Sequence, residues 1–98
     1  KEITINRVIS FVSSFYNISD RLIVGKSRKQ DVVLARQVAM YLSREFTGST
    51  LVKIGLHFGK RDHSTVIHAC SIVEKKLKSN IAFKNKMSKL IFDIENIK

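Results

Sequence analysis

The run FGKRDHSTVIHAC at positions 58–70 gathers the side chains of this chain best suited to chemistry on a polyanion. Gly59 precedes two cations, Lys60 and Arg61, and Asp62 follows with a carboxylate suited to a helix N-cap. His63, Ser64 and Thr65 then open a helix with donors and acceptors at its tip. Such a tip can reach base edges in a major groove, and its free N–H groups and positive dipole end suit a phosphate. Asp62 can accept from cytosine N4 while it caps, His63 can donate or accept, and Thr65 offers a methyl to thymine. Read without a ligand, the same residues are plain caps and a surface histidine between two packed helices. The charge of the chain separates the two readings.

Lys plus Arg total 18 against 8 Asp plus Glu, a formal charge of +10. A small domain this basic most often meets a polyanion. The 98 residues suffice for one domain, expected to span 1–98, with a modest core. Pro is absent and Gly numbers only 4, as an all-helical chain with short turns requires. One cysteine excludes an internal disulfide and fits a reducing compartment. No apolar run approaches the ~18 residues of a membrane span. The chain opens on Lys1 rather than Met, so a piece of a longer protein is expected.

Other chemistries fare worse. His57, His63 and His68 invite a metal reading, but His63 and His68 lie roughly 140° apart around a helix and share no face. Cys70 falls in an apolar stripe, where a buried inert thiol is the default. No glycine-rich phosphate loop and no nucleophile elbow occurs, so no enzyme, cofactor or metal is expected of this chain. Two rivals for the charge remain. Lys84, Lys86 and Lys89 around an apolar stripe resemble a membrane-surface helix, and a basic helical module could bind RNA.

The periodicity that must position these groups is helical almost throughout. A first helix is predicted over ~4–16, with Ile5, Val8, Ile9, Val12 and Phe15 on one face. Ser19 caps a short turn holding Leu22 and Ile23, which Gly25 ends. A basic segment, Lys26 to Lys29, precedes a long helix from Asp31 to Gly48, with Ala35, Val38, Ala39, Leu42 and Phe46 inward and Arg36 and Arg44 outward. Ser49 or Thr50 caps a helix with Leu51, Ile54 and Phe58 inward, and Gly59 is its natural C′ residue. Asp62 caps the next helix, running to about Lys78, with Val66, Cys70, Val73 and Leu77 as core and Ser64, His68, Ser71 and Lys75 opposite. Asn80 opens a last helix with Phe83, Met87, Leu90, Ile94 and Ile97 buried. The helix before Gly59 and the helix after it make a helix-turn-helix.

Residues 54–70, IGLHFGKRDHSTVIHAC, together with KSRKQDVVLARQVAMYLSREFTG at 26–48, resemble the C-terminal DNA-binding domain of the bacterial DnaA replication initiators. The likeness covers most of the chain and weakens at both ends. It implies an all-α compact bundle with a helix-turn-helix of the Trp-repressor type. It implies sequence-specific binding of double-stranded DNA at origin boxes. On this likeness Asp62, His63, Ser64 and Thr65 read the major groove, and Arg28 enters the adjacent minor groove. Arg36, Gln37, Lys53, Arg61 and His68 fall where backbone contacts are expected, and Lys26, Lys29, Thr50 and Lys60 extend that set. A narrow minor groove concentrates negative potential and attracts an arginine such as Arg28. ATP and self-association belong to upstream parts of the family's longer proteins, so this stretch is expected to act as a monomer in the bacterial cytoplasm, on the nucleoid, without membrane insertion. Two residues depart from the family pattern: Lys60 stands where a second glycine is usual, and Val52 where proline is frequent.

Overall fold

A computed structural model describes residues 3–96 and contains six α-helices. They are α1 (Ile5–Tyr16), α2 (Asp20–Val24), α3 (Gln30–Thr47), α4 (Leu51–His57), α5 (His63–Ser79) and α6 (Ile81–Glu95). No strand occurs among the described residues.

Cap chemistry sets most helix starts. Side-chain oxygens of Thr4, Ser19, Thr50, Asp62 and Asn80 each accept an N–H of the first turn of α1, α2, α4, α5 and α6. The exception is α3, whose N-cap is Lys29 with no side-chain cap. It begins at Gln30, one residue before the predicted Asp31. What was predicted as a short turn after Ser19 is the five-residue helix α2.

The amphipathic faces close one continuous core. Ile5, Val8, Ile9 and Val12 of α1 meet Ala35, Val38, Ala39 and Leu42 of α3, and Val66, Ala69, Cys70 and Val73 of α5. Phe83, Met87, Leu90 and Ile94 of α6 complete it, as their spacing predicts. Ile97 lies outside the described residues. Phe15, Phe46, Leu51 and Leu77, predicted as core, are half-buried and pack on its rim. Burial pushes the Cys70 thiol up, which keeps it protonated and unreactive. The long helix α3 packs against α1, α2, α4 and α5, so it is the frame on which the helix-turn-helix and the basic segment both hang.

One prediction about α3 is corrected. Arg36, placed on the outer face with Arg44, is buried at 7% exposure. The helical wheel puts it beside the core stripe, and its guanidinium finds backbone carbonyls that replace water. Arg44 is half-exposed and forms ion pairs with Glu45 (3.2 Å) and with Glu74 of α5 (2.8 Å).

Candidate nucleic-acid interface

The tip of α5 is built around the Asp62 cap. One carboxylate oxygen, Oδ1, accepts from Ser64 Oγ at 2.7 Å, Thr65 N at 3.0 Å and Thr65 Oγ1 at 3.2 Å. These bonds, Ser64's first, hold the carboxyl below the usual carboxylate range, so it is anionic at neutral pH. The second oxygen takes no part in these three bonds, and Asp62 is exposed. His63, Ser64, Thr65 and His68 are all exposed, while Val66 between them is fully buried. The apolar stripe thus orients the polar tip outward.

Ile67 was not among the predicted site residues. It is 48% exposed, one helical turn beyond His63 and Ser64. Its signal was present in the wheel, since it falls about 100° from Val66 and outside the core stripe. Val52 and Leu56 of α4 are likewise exposed, one turn apart. An exposed methyl can pack against a thymine methyl group.

The turn before α5 has an unusual backbone. Gly59 and Lys60 both take positive φ, +74° and +60°. Glycine does this freely, whereas a lysine there carries the steric cost of the left-handed region. The departure at Lys60 thus puts a cation on a left-handed backbone position that a glycine would adopt without cost. Gly55 was also missed. A Cβ there would collide with the Arg61 carbonyl, whose residue donates its N–H to the Gly55 carbonyl at 2.9 Å. The turn is therefore pressed onto α4 through a glycine that sits mid-helix.

Arg61 does not reach outward as its place in the basic turn suggests. Its Nη1 donates to Phe58 O and to Val24 O (3.3 Å), and its Nη2 to Gly25 O (2.7 Å). Arg36 acts on the same stretch of chain: Nε donates to Ile23 O (2.8 Å), Nη1 to Ser27 O (3.0 Å) and Nη2 to Leu22 O (3.2 Å). Two of these acceptors, Ile23 O and Val24 O, are end carbonyls of α2, at the negative end of its dipole. Burial lowers the pKa of both guanidinium groups, and the nearby Arg61 charge lowers that of Arg36 further. With pKa values this high to begin with, both remain charged.

These bonds bring the segment before α3 against the helix-turn-helix, although it lies more than thirty residues away in sequence. Lys26, Arg28 and Lys29 on that segment are exposed. Of the remaining predicted backbone contacts, Thr50, Lys53 and Lys60 are exposed and Gln37 is half-buried. Thr50 Oγ1 also caps α4 by accepting from Lys53 N at 3.1 Å.

Comparison with known proteins agrees with this architecture. Residues 5–73 match the family model described as "Bacterial dnaA protein helix-turn-helix". The chromosomal replication initiator protein DnaA of Chlorobaculum tepidum is 43% identical over 95 residues, which is 97% of this chain and 19% of that protein. The proteins of the same name from Limosilactobacillus reuteri and Limosilactobacillus fermentum are 47% and 40% identical, over 91% and 95% of this chain. The chain spans about a fifth of the length of each of these relatives.

Proposed function

The chain belongs to the bacterial DnaA helix-turn-helix family, and on that premise we propose that it binds double-stranded DNA sequence-specifically, at origin boxes, in the initiation of chromosome replication. The N-terminal turn of α5 enters the major groove, with Asp62, His63, Ser64 and Thr65 at base edges. Arg28 enters the adjacent minor groove. Lys26, Lys29, Lys53 and Lys60, with Gln37, Thr50 and His68, hold phosphates. Arg36 and Arg61 leave that set because their guanidinium groups face protein carbonyls.

The observation that carries this reading is the exposed, carboxylate-capped tip of α5 with the Arg28 segment fastened beside its turn. A lone unit of this kind reads an asymmetric site, since palindromic sites follow from protein two-folds. The domain takes no cofactor on this reading and works as a monomer in the cytoplasm. ATP chemistry and self-association fall to other parts of the longer family proteins.

Selection of bound duplexes from a random pool tests the proposal. An enriched asymmetric box is the expected result; absence of enrichment, or equal binding to RNA or to anionic vesicles, overturns it. Replacing His63 by Ala should cost about 1–3 kcal/mol on the selected box and little on scrambled DNA. Equal loss on both would remove His63 from base reading.

A further inference from the structure

We propose that Arg36 and Arg61 are positioning residues for Arg28: together they fasten the segment before α3 to the helix-turn-helix, so that minor-groove and major-groove contacts are presented in fixed register. The inference rests on the reading of Arg28 given above and goes beyond it.

Its basis is a shared set of acceptors. Arg36 from α3 takes the carbonyls of Leu22, Ile23 and Ser27. Arg61 from the turn takes those of Val24 and Gly25, and with the same Nη1 that of Phe58. Every carbonyl from Leu22 to Gly25, and then Ser27, is thereby held by one guanidinium or the other. Arg28 is the next residue and is itself exposed. Gly59 closes the same contact from the turn side, since a Cβ there would stand 2.9 Å from Val24 O. Two like charges drawn to one short stretch of chain repel, yet both are held there by hydrogen bonds to backbone carbonyls. A planar fork that donates in several directions at once does this; an ammonium cannot reach two carbonyls of fixed separation in the same way.

The alternative role for Arg61, a direct phosphate contact, makes different demands. A phosphate contact tolerates lysine, and its neutral replacement lowers the salt slope of binding by about one unit. A positioning role does not tolerate lysine.

The test uses the selected box and a copy carrying 2,6-diaminopurine for adenine, which adds an amino group only in the minor groove. Binding is measured by anisotropy for the parent chain, Arg28→Ala, Arg61→Lys and the double variant Arg28→Ala/Arg61→Lys, each shown folded by its thermal melt. Arg28→Ala and Arg61→Lys should each weaken box binding roughly tenfold, and the double variant should be within about twofold of either, as coupled residues behave. The parent should lose affinity for the diaminopurine box, whereas Arg61→Lys should be indifferent to it while keeping the full His63→Ala penalty. Penalties that multiply, retained diaminopurine sensitivity in Arg61→Lys, or parent-like box binding by Arg61→Lys each overturn the proposal. If the parent itself ignores diaminopurine and Arg28→Ala binds normally, the minor-groove role of Arg28 falls, and the positioning role with it. Should Arg61→Lys fail to fold, Arg36→Lys carries the same comparison.

Discussion

Two turns flank α4, and they start from the same local rules. Each places a left-handed glycine after a helix, Gly48 at φ +68° and Gly59 at φ +74°, and each ends on an oxygen cap, Thr50 or Asp62. The first is solved locally. Thr47 Oγ1 donates to Ser43 O and hydrogen-bonds Ser49 Oγ, and Ser49 N donates back to Thr47 Oγ1 at 3.1 Å. A Cβ at Gly48 would meet nothing within 4 Å. The second is solved by the rest of the molecule: Gly55 lets the turn sit on α4, Gly59 lets it touch Val24, and Arg61 ties it to residues 36 and 37 positions away. A turn that only joins helices can rely on its neighbours in sequence. The second turn, by contrast, has tertiary partners at each of these points.

That contrast can be broken most severely at Gly55. Replacing it by Ala drives a methyl into the Arg61 carbonyl and should destabilise the fold by about 3 kcal/mol, at the upper end of overpacking costs. A normal denaturant midpoint would show that α4 and the turn separate freely. The two turn glycines should then differ. Gly48→Ala should cost about 1 kcal/mol, the left-handed penalty alone, and Gly59→Ala about 2 kcal/mol because the methyl also meets Val24 O. Equal costs would erase the distinction between the turns. Lys60→Gly relieves the left-handed strain but loosens the unfolded chain, so it should stabilise by only about 0.5 kcal/mol. A loss of stability would mean that the Lys60 side chain holds the turn.

The smallest effect concerns acid. The folded-state pKa of Asp62 is depressed, so its contribution is present above the ordinary aspartate value of about 3.9 and is lost as pH falls through the lower folded value. Asp62→Asn should flatten that part of the melting-temperature profile while retaining a cap. An unaltered acid profile would show that the three bonds onto Oδ1 add nothing to stability. Because Asp62 is wholly exposed, the change should be slight.

Legibility in the sequence follows the same division. The caps Ser19, Asp62 and Asn80, and the stripes Ile5–Val8–Val12 and Val66–Cys70–Val73, were readable because each depends on neighbours within one or two turns. The candidate tip at Asp62 to Thr65 was readable for the same reason, and the structure leaves all four residues exposed. Leu77 and Phe46 share the periodicity of their stripes but lie where the core ends, so pattern alone overstated their burial. Ile67 lies outside the core stripe on the wheel, but an isoleucine's type alone reads as core, and the structure leaves it 48% exposed.

The sequence by itself determined an all-helical chain, its helix faces, the glycine turns and a basic segment paired with a polar helix tip, since periodicity, capping and charge are short-range properties. Only the tertiary structure decided what the arginines do. Arg28, Arg36 and Arg61 carry the same charge, and charge alone does not separate them. Arg28 is left in water, whereas Arg36 is buried and Arg61 half-buried against carbonyls at the end of α2 and in the segment after it. Whether a guanidinium meets solvent or a distant carbonyl depends on how α2, α3 and the turn before α5 come together, and that packing is not written in the spacing of residues along any one of them.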